Sequence, residues 1–209
     1  MPPRGIAIVS RDMQIYRHLI GGLWLAWALF WLVMAIGTKR TQRREPLGSR
    51  LGYVLTAVIG GLLIAWRGSP LAPLMNMRLW PRSALTDWTG LALLLAGLAF
   101  AAWARVRLGR NWSGTVTVKE DHELIRSGPY GYVRHPIYTG ILSAVIGTAI
   151  CSGTLRAALG FAIIAAALLV KSRTEERFMR ETFPGQYEQY CQAVPALIPF
   201  TKSRRSAPR

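Results

Sequence analysis

Residues 19–37 read LIGGLWLAWALFWLVMAIG, nineteen in a row without a charge. A helix of ~20 apolar residues is what a hydrocarbon layer about 30 Å thick requires. Four more such blocks follow, at 51–66, 88–104, 137–151 and 155–170, and Arg156 is their one charged residue. Three of the five approach the length of a span, and the last two are shorter. The expected fold is an all-α membrane protein with about five transmembrane helices. The first block is longer than the apolar core of a signal peptide, and TKRTQRR follows it without a small-residue cleavage site. It reads as a retained helix.

Charge sets the expected orientation. The chain carries 26 Lys and Arg against 10 acidic residues, a net charge of +16. A basic balance of this size also occurs in nucleic-acid binders, where cations gather on one exposed face. Here they fall between the apolar blocks: five in 38–50, six in 105–134 and eight in 171–209. With five crossings these three segments share a side, and the positive-inside rule makes that side the cytoplasm. The N-terminus is then expected outside and the C-terminus inside, with membrane lipids rather than nucleic acid as the partner surface. Cys151 and Cys191 fall on opposite sides, which argues against a disulfide between them. Neither stands at metal-ligand spacing from a histidine or carboxylate, so no metal is expected.

By character the chain divides into residues 1–104, three helices with few employed polar groups, residues 105–200, and a basic tail over 201–209 expected to be disordered. Within the second part, SGTVTVKEDHELIRS (113–127) alternates as strand, turn and strand and is expected to form a small surface hairpin. GPYGYVRHPIYTG (128–140) then places an arginine, a histidine and a proline at the mouth of an apolar helix. Ser152-Gly153-Thr154 is a link short enough to make blocks four and five an antiparallel pair. Beyond block five, KSRTEERFMRET continues as a helix leaving the membrane, with Glu176 one turn before Arg180. Pro184-Gly185 breaks it, and QYEQYCQ forms a further short helix.

Each candidate residue has a plain reading when taken alone. His135 could be a cap, Pro136 suits a first helical turn, the tyrosines could form an aromatic belt, and Glu175 and Glu176 could face solvent. Joint placement changes this. The expected topology brings His135 and Tyr130 to the same end of the helix pair as Arg173, Glu175 and Glu176. Ionisable groups at such a depth are costly unless they serve something.

These residues also carry a resemblance. LGRNWSG, HELIRSGPYGYVRHPIYTG and RTEERFMRETFPGQYEQYCQAVPALIPF, in that order over roughly 105–200, resemble the isoprenylcysteine carboxyl methyltransferase family, integral-membrane enzymes with phospholipid methyltransferase relatives. The resemblance implies use of S-adenosyl-L-methionine without a Rossmann domain, in a cytoplasm-facing pocket capped by a helical C-terminal segment. It implies cofactor contacts from His122, Glu123, Leu124 and Ile125, from Tyr130, from His135, Pro136, Ile137 and Tyr138, and from Glu175, with Thr117 as a further contact. Arg173, or Lys171 one half-turn earlier, would steer the substrate.

Methyl transfer from a sulfonium needs mainly alignment and desolvation. A carboxylate nucleophile is already ionised near neutral pH and needs a cation to place it, not a base. A phospholipid amine would need a base, for which Glu176 is the candidate. The expected function is methylation of a lipophilic or lipidated substrate, most simply at a carboxylate. Phospholipid N-methylation, a nicotinamide-dependent membrane reductase and a non-catalytic basic scaffold that holds anionic lipids are the alternatives.

Overall fold

The computed structural model describes residues 4–36, 41–44, 47–65, 71–109, 112, 117–119 and 124–201. The helices among them are α1 (Arg4–Ala35), α2 (Leu47–Ala65), α3 (Ala72–Met75), α4 (Ala84–Leu108), α5 (Pro136–Ser152), α6 (Leu155–Thr182) and α7 (Gln186–Ala193). Two strands, β1 (Thr41–Arg44) and β2 (Thr117–Lys119), and a 3-10 turn at Gly128–Gly131 are the other elements among the described residues. Four helices have the length and apolar composition of a span, His18–Ala35 within α1, α2, α4 and α6, and α5 is shorter at 17 residues. Leu25, Leu29, Leu32, Leu55, Val58 and Leu62 stay exposed on α1 and α2, as side chains solvated by hydrocarbon do. The protein is an integral membrane protein.

Local chemistry sets the helix limits. Ser83 and Thr86 cap α4 reciprocally: the Thr86 N–H donates to Ser83 Oγ at 3.2 Å, and the Ser83 N–H donates to Thr86 Oγ1 at 3.0 Å. Asp87 in the first turn suits the helix dipole and is held by Arg82 Nε at 2.8 Å. Gly153 turns the chain between α5 and α6 at a φ of 62°, where a side chain would be strained. The turn is then pinned as Leu79 N–H donates to the Gly153 carbonyl and Leu155 N–H to that of Met77.

Two antiparallel helix pairs dominate the packing, α4 with α5 and α2 with α6. In hydrocarbon the hydrophobic effect does not press helices together, so close backbone approach carries the association. Glycine supplies it. A Cβ on Gly97 would stand 2.5 Å from the Gly140 carbonyl oxygen, and one on Gly60 would stand 2.9 Å from that of Gly160. The Trp24 indole donates to Thr148 Oγ1 at 3.1 Å and fastens α1 to α5. Tyr16 beside Trp88 and Trp31 beside Arg105 show that α1 runs parallel to α4.

The ends of α1, α4 and α6 and the starts of α2 and α5 therefore meet at one end of the bundle. The described parts of the three cation-rich segments converge there. The expected hairpin over 113–127 is corrected where the structure describes it: β2 pairs antiparallel with β1 and Leu124–Arg126 form no strand, while residues 113–116 and 120–123 lie outside the described residues. Alternation marks a strand without naming its partner, and the partner here comes from the connection after α1. The stretch 202–209 of the expected basic tail lies outside the described residues.

The α4–α5 contact generates a direct test. Gly97→Val should destabilise the protein by about 3 kcal/mol, the upper end of the usual overpacking cost, because the neighbour is backbone and cannot give. Gly61→Val, at a glycine with nothing within 4 Å of an added Cβ, serves as control. Thermal unfolding in mild detergent reads the difference. Equal melting points for the two variants would refute the backbone-contact account.

Candidate active site at the start of α5

Pro136 opens α5 with the φ a first turn needs, and His135 is the residue before it. The N–H groups of the two residues before Pro136 have no acceptor within the helix, and the chain there is anchored from outside. Arg134 N–H donates to the Pro195 carbonyl at 2.9 Å, and His135 N–H donates to that of Ala196 at 3.0 Å. Thr139 Oγ1 donates to the Leu197 carbonyl at 2.6 Å. Residues 194–197 thus lie as a strap across the mouth of α5. Gly128–Gly131 form a 3-10 turn that buries Tyr130, whose carbonyl accepts from the Tyr190 hydroxyl of α7 at 2.6 Å.

The two glutamates of α6 have different surroundings. Glu176 is saturated: its Oε1 accepts from Arg134 Nη2 at 2.6 Å and Nε at 3.0 Å, and Oε2 accepts from Arg180 at 3.1 Å. His135 Nε2 lies 3.2 Å from Oε1. Arg134 also donates through Nη1 to the carbonyls of Val194 and Cys191, at 2.6 and 3.2 Å. Glu175 accepts from the Tyr138 hydroxyl and has His135 Nδ1 3.5 Å away, while a quarter of its side chain stays exposed. The His135 and Tyr138 rings stack at 5.5 Å. Lys171, one turn before Glu175, holds its ammonium 5.4 Å from the centres of the Tyr53 and Tyr138 rings.

The apolar wall beside this cluster joins Ala104, Tyr130, Ile137 and Tyr138, with Ile125, Trp31, Trp112 and Leu197 packed on it. A cavity of about 590 Å³, roomy enough for a small-molecule ligand, adjoins it and is lined by Arg107, Leu124, Ile125, Arg126 and Ser127.

Of the residues singled out in the sequence, the fold brings Ile125, Tyr130, His135, Ile137, Tyr138, Glu175 and Glu176 to one place. Pro136 sits fully buried beneath it, and Leu124 lines the adjoining cavity. Thr117 lies in β2, paired with Arg44. His122 and Glu123 lie outside the described residues. Arg173 is exposed on α6 and is not brought to the cluster, whereas Lys171 is. Helix phase holds that signal, since residue 171 shares a face with residue 175 and residue 173 does not. Sequence reasoning missed the strap and the tie from Tyr190 to Tyr130, and it saw Arg134 only as part of a helix start.

Comparison with known proteins bears on this site. The model of the isoprenylcysteine carboxyl methyltransferase family matches residues 90–181. The chain is similar to protein-S-isoprenylcysteine O-methyltransferase of Schizosaccharomyces pombe, 29% identical over 88% of this chain and 85% of the relative. It is also 29% identical to protein-S-isoprenylcysteine O-methyltransferase B of Arabidopsis thaliana, over 53% of this chain and 58% of that one. Among solved structures it resembles a eukaryotic intramembrane Ras methyltransferase with a TM-score of 0.50 and 26% identity, over 71% of this chain and 52% of the other. The chain therefore spans most of the yeast relative's length but little more than half of the plant protein and of the solved one. The matched region holds α5, nearly all of α6 and the Arg134–Glu176 and Tyr138–Glu175 contacts, and over it the chain is similar to the isoprenylcysteine carboxyl methyltransferase family.

Proposed function

We propose that the protein methylates the carboxylate of a lipophilic, isoprenylcysteine-type substrate, with S-adenosyl-L-methionine as donor, at the cytoplasmic end of its bundle. The catalytic unit is 105–200, carried on the helices of 1–104. The observation that carries this reading is the asymmetry of the two glutamates. Glu176 is used up by Arg134, His135 and Arg180, while Glu175 stays partly open between Tyr138 and the apolar wall. A part-exposed carboxylate beside aromatic faces fits a cationic donor, because both favour positive charge. Glu175, Tyr130, Tyr138, Ile137 and the 124–125 stretch would hold it. When bound, the donor supplies a methyl group on a positively charged sulfur.

The chain's own residues then have few tasks. Lys171 receives the substrate carboxylate in preference to Arg173, because it stands over Tyr138 and shares a helix face with Glu175. The wall of Ala104, Tyr130 and Ile137 excludes water, which strengthens both charge contacts. His135 orients the glutamates. An amine nucleophile would need a free base, and the saturation of Glu176 disfavours it. A scaffold that only collects anionic lipids would have no use for an acid pair enclosed by His135 and two tyrosines.

Three outcomes test this. S-adenosyl-L-methionine should bind the detergent-purified protein saturably, and Glu175→Gln should weaken that binding at least tenfold, the worth of one charged hydrogen bond. Unchanged affinity in the variant would remove Glu175 from the donor site. For a carboxylate substrate, Lys171→Ala should lower kcat/KM by about two orders of magnitude and Arg173→Ala by less than about threefold. The reverse ranking would return the steering role to Arg173.

The third concerns pH. Burial opposes a charge on His135, but hydrogen bonds and charge from Glu175 and Glu176 outweigh it and hold the imidazole pKa above its ordinary value. Arg134, Tyr138 and Lys171 face the same cluster. A raised folded pKa contributes stability that is full below the unfolded value and disappears as pH rises through the folded one. The melting-point advantage of wild type over His135→Gln should therefore shrink as pH rises above about 6.5, the ordinary imidazole value. A pH-independent advantage would mean that His135 is neutral throughout.

A further inference from the structure

Two arginines are almost completely enclosed in the bundle, Arg105 at 1% exposure and Arg156 at 3%. Arg156, at the far end, has a local use. Its Nε donates to Asn76 Oδ1 at 2.9 Å, and its Nη1 donates to the carbonyls of Leu63 and Ile64 at the end of α2. Arg105, in the last turn of α4, is less well provided for. Nη1 donates to the Gly109 carbonyl at 2.8 Å and Nη2 to that of Met34, but the buried Nε has no acceptor among the described residues. No carboxylate among the described residues pairs with it. Its guanidinium lies instead 4.4 Å from the centre of the Trp112 ring and 5.9 Å from that of Trp31. A buried cation without a counter-ion costs several kcal/mol, and at membrane depth such a group is retained for a purpose.

Its surroundings belong to the candidate site. Trp31 and Trp112 pack on the wall formed by Ala104, Tyr130, Ile137 and Tyr138. Arg105 therefore adjoins that wall from the α4 side through Trp31 and Trp112, while Lys171 stands over Tyr138 on the α6 side. Arg134 and Arg180 are both committed to Glu176. The proposed reaction brings together two carboxylates, one on the methionine part of the donor and one on the substrate.

We propose that Arg105 is a binding residue of this site, whose Nε, backed by Trp112, receives a ligand carboxylate. This rests on the methyltransferase reading, which supplies the two carboxylates. A planar guanidinium with one unused donor matches a carboxylate oxygen, and the ligand then provides the missing counter-charge. Occupying the site would convert a costly buried cation into a buried ion pair.

The test is a cycle on the full-length protein in detergent. Wild type, Arg105→Lys and Arg105→Met are titrated with S-adenosylhomocysteine, with N-acetyl-S-farnesylcysteine, and with the carboxamide analogue of each. For one of the two acids, wild type should prefer acid to amide by at least tenfold, and Arg105→Met should abolish that preference. Which acid responds identifies whether donor or substrate is held. Equal losses for acid and amide, or unchanged preferences in both series, would overturn the assignment and leave Arg105 as a tie between α1 and α4. Failure of wild type to bind either acid would instead overturn the methyltransferase reading, and this inference with it. If neither variant folds, wild-type crystals with each acid decide. A carboxylate oxygen within about 3.5 Å of Nε supports the assignment, and none nearer than about 6 Å overturns it.

Discussion

The carboxylate of Glu176 collects hydrogen bonds from Arg134 just before α5, from Arg180 one turn along α6, and has the ring of His135 against it. Arg134 in turn reaches the carbonyls of Cys191 and Val194. One anion thereby gathers the start of α5, the end of α6 and the chain after α7. A surface ion pair of this kind would contribute little. Here the side chains of Arg134 and Glu176 are only 10% and 13% exposed, so losing either partner leaves a poorly solvated charge behind. The rest of the site depends on this, because Tyr138 and Glu175 face each other only while α5 and α6 keep their register.

Adjacent glutamates on one helix point about 100° apart, which lets a single turn of α6 serve two ends. Glu176 turns toward the arginines and becomes structure. Glu175 turns toward Tyr138 and the apolar wall and keeps an open side. The contrast lies in the two surroundings, since the groups themselves are chemically alike.

Much of this was legible in the chain. Hydropathy exposes the spans because hydrocarbon tolerates few charges, and the clustering of Lys and Arg indicated which connections share an end. His135-Pro136 and the Glu175-Glu176 pair stood out because polar and rigid residues are rare at a helix mouth. What was not legible is non-local. Alternation found β2 but not β1, and prolines 195 and 199 suggested a turn without indicating a strap across α5. The choice between Lys171 and Arg173 was available from helix phase, once Glu175 was taken as the fixed point. Arg105 was hidden for a different reason. A cation at the end of an apolar block usually marks the membrane boundary, and only packing against Trp31 and Trp112 shows that it turned inward.

The strap has a consequence for biogenesis. Arg134 and its partner carbonyl at Val194 are 60 residues apart in the chain. During synthesis at about 5–20 residues per second, α5 is therefore complete for several seconds before the segment that closes its mouth exists. The described membrane helices precede that segment, so the bundle can insert and pair through its glycines while the polar end stays unfinished. The nascent chain enters the bilayer as a scaffold, and the site is assembled last.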